Sequence, residues 1–156
     1  MKFEMGAIMK NMTLEHIAQA CGGTYIGEEC DREKEIQGAV IDSRLVEEGY
    51  LFIPIRGARV DGHDFIPAVF EKGALAVLSE QRLEHPAGPY ILVDSTEEAM
   101  KKIAAFYRRS LDIKVVGITG SVGKTSTKEM IASVLSEKYC VLKTEGNLNN
   151  EIGLPL

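Results

Sequence analysis

Lys114-Val115-Val116-Gly117-Ile118-Thr119-Gly120-Ser121-Val122-Gly123-Lys124-Thr125-Ser126-Thr127-Lys128-Glu129-Met130 decides how the second half of this chain is read. Lys114 to Ile118 is an apolar run that predicts a strand, and a helix is expected from Lys124 to Lys138 with Ile131, Val134 and Leu135 inward. Between them lies a turn built on Gly117, Gly120 and Gly123. Glycine lets the backbone take unusual torsions and come close to a ligand. The amides of such a turn, followed by the positive end of a helix, converge on an anion. Gly120, Ser121, Val122, Gly123, Lys124, Thr125 and Ser126 are therefore candidate phosphate binders, with Lys124 reaching the β- and γ-phosphates and the Thr125 hydroxyl ligating Mg²⁺. The strict G-x-x-x-x-G-K-[ST] pattern is not met, because Ile118 stands where its first glycine belongs. The bland alternative is a turn that merely connects a strand to a helix. The loop alone does not choose between adenine and guanine.

Upstream, strands and helices alternate. Thr13 is placed as N-cap of a helix Leu14 to Ala20, stopped by Gly22-Gly23. Strands are expected at Ile36 to Ile41, Tyr50 to Ile55, Ala74 to Leu78 and Tyr90 to Val93, with a short helix from Phe65 to Lys72. Glu28 to Glu35 reads as a solvated loop or hairpin edge. Ser95 with Glu98 has the spacing of a capping box. After it, Met100, Ile103, Ala104, Phe106, Tyr107 and Leu111 form an apolar stripe of core packing. Beyond the phosphate loop, Cys140 to Lys143 is expected to be a second strand. The result is an α/β protein: an extension over 1–12, a mixed-sheet domain over 13–111, and the first βαβ unit of a P-loop domain over 112–156. A lone βαβ unit cannot cover both faces of its sheet, so this second domain is expected to be truncated.

Composition narrows the partners. The chain has 156 residues, 45% of them apolar and 26% charged, with a net charge of −5. Basic residues come no more densely than pairs such as Lys101-Lys102 and Arg108-Arg109, which argues against nucleic acid. Cys21, Cys30 and Cys140 are scattered, a spacing of free thiols in a reducing compartment rather than of disulfides or a zinc site. No apolar stretch approaches the roughly 20 residues of a membrane span, and the first residues lack the plan of a secretion signal. The expected setting is the cytoplasm, with no membrane partner, and the expected state a monomer.

Gly117 to Lys128 resembles the ATP loop of the Mur ligases of peptidoglycan synthesis, whose T-G-x-x-G-K-T form accounts for Ile118. Lys143-Thr144-Glu145-Gly146-Asn147-Leu148-Asn149-Asn150-Glu151-Ile152-Gly153-Leu154-Pro155-Leu156 is similar to a segment of the members that add D-alanyl-D-alanine. Asp42-Ser43-Arg44 and Asp61-Gly62-His63-Asp64-Phe65 resemble the family's uridine-nucleotide domain. The resemblance implies an ATP- and Mg²⁺-dependent ligase that joins D-alanyl-D-alanine to UDP-N-acetylmuramoyl-tripeptide through an acyl phosphate. Lys124 and Thr125 would be its catalytic pair. Ser43 and Arg44 would meet the uridine diphosphate, with His63 a weaker candidate for that pocket, and Asn147, Asn149 and Asn150 would help hold the nucleotide-sugar. The rest of the ATP site and the dipeptide site would follow Leu156, so this chain alone is expected not to ligate.

Each assignment has a plainer counterpart. Asp42-Ser43-Arg44 could be a turn with a local side-chain bond, His63 an exposed loop histidine, and the three asparagines turn formers. Lys128 and Glu129 read as solvated charges. Two further functions stay open: an isolated UDP-sugar-binding module, and an unrelated P-loop GTPase or kinase.

Overall fold

The computed structural model describes Met9, residues 11–57 and residues 60–144. The first helix, α1 (Leu14–Cys21), starts where the Thr13 hydroxyl accepts from the His16 amide. It ends at Gly22, in the left-handed region at φ 73°. The Gly22 and Gly23 amides cap the carbonyls of Gln19 and Ala18.

Next come β1 (Thr24–Ile26), a single 3₁₀ turn (Glu29–Asp31), β2 (Gly38–Val40) and β3 (Tyr50–Phe52). A second 3₁₀ turn (Gly62–Phe65) runs into α2 (Ile66–Glu71), followed by β4 (Ala76–Ser79), β5 (Tyr90–Leu92) and α3 (Thr96–Ser110). The strands form one sheet in the order β1-β5-β4-β3-β2. The pairs from β2 to β5 are parallel and β1 runs antiparallel on β5, so the sheet is mixed as expected.

Alternation along each strand sends side chains to two covered faces. Leu51, Ile53, Ala76, Leu78 and Ile91 pack with Leu14, Ile17 and Ala18 of α1 and with Ala99, Met100 and Ile103 of α3. Phe52, Val77 and Tyr90 face the other way, onto Val46 and onto Ile66 and Val69 of α2. Because both faces are buried, the strands read as continuous apolar runs. The helix stripe is sound at Met100 and Ile103, which are buried, whereas Ala104, Phe106, Tyr107 and Leu111 are only partly covered. Packing also extends ahead of Thr13. Met12 is fully buried, and Met9 donates its amide to the Ile36 carbonyl at 3.2 Å.

The loop segment departs from expectation. Among the described residues one helix, α4 (Lys124–Ser136), follows the glycine turn. Neither Lys114 to Ile118 nor Cys140 to Lys143 is a strand. A strand exists only through a partner's backbone, and no described strand lies beside either segment. Val115 and Val116 are accordingly exposed. The inward face of α4 is also different: Ala132 is its buried residue, and Val134 is 73% exposed. Lys128 and Glu129 are not simply solvated, for Lys128 Nζ donates to the Thr144 carbonyl at 2.6 Å and Glu129 pairs with Lys143.

Candidate functional site

The glycine turn has the local geometry of an anion cradle. Gly123 is the N-cap of α4 with φ 78° and ψ 0°, and Gly120 has φ 152°. Both values lie in the region glycine favours. The first helical bond runs from the Thr127 amide to the Gly123 carbonyl at 2.9 Å. The amides of Lys124, Thr125 and Ser126 precede it and have no intrahelical acceptor, and no side chain caps this end. Lys124 Nζ donates to the Gly120 carbonyl at 2.6 Å, so the ammonium lies across the turn and is not committed to a carboxylate. Ser121, Val122, Gly123, Thr125 and Ser126 are all exposed. Among the described residues no group of His, Cys, Asp and Glu could hold a metal by itself. A single hydroxyl such as that of Thr125 suits Mg²⁺, which keeps water and phosphate oxygens as its other ligands.

A second group of candidates collects at the other end of the sequence logic, at the carboxyl ends of the parallel strands. Asp42-Ser43-Arg44 follows β2, the Arg56–His63 stretch follows β3, Glu80 follows β4, and Thr96 opens α3 just after β5. In open α/β sheets this edge is where ligands bind. A cleft of about 760 Å³ opens instead at the amino ends, lined by Gln37, Gly49, Leu75 and Pro89 among others. What sets the carboxyl edge apart is one network that joins side chains from two strand ends and α3: Asp61 and His63 after β3, Glu80 after β4, and Thr96.

Asp42 forms the local turn that its composition suggests. Its carboxylate accepts from the Arg44 amide at 2.9 Å, from Arg44 Nε at 2.9 Å and from Nη2 at 2.6 Å. These bonds, the side-chain ones foremost, hold the Asp42 carboxyl down at about 2 and push the Arg44 guanidinium up. The Ser43 carbonyl accepts from Lys72 Nζ at 2.7 Å. The Arg44 side chain is otherwise open, at 85% exposure.

His63 is buried, which sets aside the plainer reading of an exposed loop histidine. The Glu80 amide donates to its Nε2 at 3.3 Å, which leaves the ring proton on Nδ1, 2.6 Å from Asp61 Oδ1. That oxygen also accepts from the His63 amide, and these two bonds keep the Asp61 carboxyl below its usual range. Asp61 Oδ2 and Glu80 Oε2 both pair with Arg56 Nε, at 3.1 and 3.4 Å. Glu80 Oε1 in turn accepts from the amide and hydroxyl of Thr96 at 3.0 and 3.2 Å. Arg56, Glu80 and Thr96 were not legible as a cluster in the sequence. The available signal was a charged residue directly after a buried apolar strand, as in Leu51 to Ile55 before Arg56 and Ala76 to Ser79 before Glu80. Asn147, Asn149 and Asn150 lie outside the described residues, as does most of the extension over 1–12.

Comparison with known proteins gives a consistent family. The model described as "Mur ligase family, catalytic domain" matches residues 35–108, and "Mur ligase middle domain" matches residues 118–156. The UDP-N-acetylmuramoyl-tripeptide–D-alanyl-D-alanine ligase of Bacillus subtilis is 43% identical over 95% of this chain and 33% of its own length. A crystal structure of MurF from Acinetobacter baumannii superposes with a TM-score of 0.81 at 35% identity, covering 92% of this chain and 32% of that one. MurF from Thermotoga maritima in complex with ADP gives a TM-score of 0.69 at 40% identity, over 75% of this chain and 27% of the other. The chain thus spans about a third of the length of the relatives it matches. Among the described residues no helix is long and apolar enough to cross a membrane. With two successive segments matched by models of one family, and relatives of that family aligned over nearly all of its residues, the chain belongs to the Mur ligase family.

Proposed function

We propose that this chain supplies the nucleotide-sugar domain and the phosphate loop of an ATP-dependent amide ligase that joins D-alanyl-D-alanine to UDP-N-acetylmuramoyl-tripeptide in peptidoglycan synthesis. The observation that carries the reading is the glycine turn with free amides at the start of α4 and Lys124 lying across it. A mixed-sheet domain with polar residues at its ligand-binding edge precedes that turn. In this reading residues 13–111 bind the uridine nucleotide, residues 112–156 begin the ATP-binding domain, and residues 1–12 are an extension.

Gly120, Ser121, Val122, Gly123, Lys124, Thr125 and Ser126 surround the ATP phosphates. Lys124 and the amides stabilise negative charge that grows on the transferring group. The Thr125 hydroxyl would hold Mg²⁺, which when bound would neutralise phosphate charge in the same place. A carboxylate oxygen of the tripeptide takes the γ-phosphoryl group and ADP leaves. The dipeptide amine then attacks the acyl carbon, expelling inorganic phosphate and releasing a proton. Ser43 and Arg44 meet the uridine diphosphate. His63, with both ring nitrogens engaged, serves the pocket by holding Asp61 in place rather than by direct contact. Asn147, Asn149 and Asn150 are assigned to the nucleotide-sugar. The reading places the protein in the cytoplasm as a monomer.

The 156 residues alone bind ligand without ligating. The sheet domain has two buried faces, whereas the loop unit leaves Val115, Val116, Met130 and Val134 exposed. A module that binds the uridine ligand and holds ATP weakly is therefore the behaviour expected of this chain by itself. Calorimetry with UDP-N-acetylmuramoyl-tripeptide, ATP and GTP tests the proposal. Binding of the uridine ligand, with ATP preferred over GTP, supports it. A preference for GTP, or turnover by these residues with all three substrates, contradicts it.

A further inference from the structure

The network at the carboxyl edge of the sheet has a direction to it. Glu80, with a side chain only 17% exposed, is engaged from three other parts of the chain. Its Oε1 receives the amide and hydroxyl of Thr96, which fixes the first turn of α3. Its own amide is held by His63 Nε2. That leaves Oε2 aimed at Arg56 Nε, 3.4 Å away, with Asp61 Oδ2 on the same nitrogen at 3.1 Å. Arg56 is also fixed through its backbone, because it forms a bridge with Asp61 and the Gly57 amide donates to the Val60 carbonyl at 2.9 Å. Two carboxylates and a short hairpin stem thus hold one arginine.

Both ion pairs close on Nε, and no described residue accepts a hydrogen bond from Nη1 or Nη2. The side chain is 56% exposed at the edge where parallel-sheet ligands bind. An arginine steadied through Nε and left open at its two terminal nitrogens presents a fork matched to two phosphate oxygens. Arg44 differs, since both Nε and Nη2 are taken up by Asp42. We propose that Arg56 binds a phosphate group of the nucleotide-sugar, and that Glu80 is the residue that positions it. The inference rests on the uridine-nucleotide reading given above.

The test titrates the chain with UDP and with uridine, following backbone amide shifts, for the parent protein and for Arg56→Ala, Arg56→Lys and Glu80→Gln. Arg56→Ala should weaken UDP about tenfold or more while uridine stays within about twofold, since a charge-assisted bidentate contact is lost. Arg56→Lys keeps the charge without the fork and should recover only part of that loss, which also covers the case in which the alanine variant does not fold. Glu80→Gln should weaken UDP about threefold or more with the Thr96 amide still protected from exchange. Unchanged UDP affinity in a folded Arg56 variant overturns the inference and leaves the uridine reading standing. A parent chain that binds neither UDP nor uridine contradicts that reading itself.

Discussion

Lys124 Nζ donates to the Gly120 carbonyl oxygen at 2.6 Å, so the loop's own backbone occupies the ammonium that would otherwise meet phosphate. A neutral carbonyl is a weaker partner for an ammonium than a triphosphate. The contact therefore keeps the side chain folded over the turn without locking it there. Lys124→Met is expected to lower ATP affinity about tenfold or more, as loss of a charge-assisted contact would. Its melting temperature should stay at the parent value, because Lys124 belongs to neither buried cluster. Calorimetry and a thermal melt together check both halves.

The Asp42–Arg44 pair gives a pH signature. Arg44 holds the folded-state carboxyl at about 2, below its ordinary value of 3.8. A depressed folded pKa means that the contribution is complete above the unfolded value and is lost as pH falls through the folded one. The Asp42 carboxyl carbon should thus titrate near pH 2, and Arg44 should remain ordered down to about pH 3. In Asp42→Asn the Arg44 Nε proton should exchange faster at neutral pH. A midpoint near 3.8 would contradict the pairing.

His63 predicts a stability effect separate from charge. His63→Ala removes the acceptor of the Glu80 amide and a partner of Asp61, both in a part-buried setting. Leaving such groups unsatisfied is expected to cost about 1–3 kcal/mol. Urea unfolding measures this, and a loss of UDP affinity out of proportion to stability would show that His63 touches the ligand directly.

Much of this organisation was readable one element at a time. Thr13, Gly22 and Ser95 announced helix ends through the chemistry of the free backbone groups they serve, and each does so in the structure. The Ser95 hydroxyl accepts from the Glu98 amide at 3.3 Å, while the Glu98 carboxylate is paired with Lys101. The strand β1 was missed because three residues between Gly23 and Gly27 carry no period, and its place on β5 is a long-range fact. The expected strand at Lys114 to Ile118 failed for the converse reason. Its apolar pattern is local, but a strand also needs a neighbour. The glycine turn and the helix that follows it were legible because one contiguous motif contains them. Glu80 was not, since its partners Arg56, His63 and Thr96 come from other elements and meet it only in three dimensions.

Two glycines separate close approach from backbone torsion. A Cβ at Gly62 would lie 2.7 Å from the Ile55 amide nitrogen, so Gly62→Ala must shift backbone and is expected to cost about 1–3 kcal/mol. At Gly123 nothing lies within 4 Å, and only the left-handed torsion resists a side chain. Gly123→Ala should cost about 1–2 kcal/mol locally and weaken ATP. Chemical denaturation of the two variants should show a loss of global stability for the first and almost none for the second.

The account depends most on the glycine turn holding a triphosphate. Backbone amide shifts of the chain, titrated with millimolar Mg·ATP, report this directly at the residues concerned. The largest changes are expected at Gly120, Gly123, Lys124, Thr125 and Ser126, and Lys124→Met should shrink them at the same nucleotide concentration. Shifts confined to other parts of the chain, or none at these amides at saturating nucleotide, would contradict it.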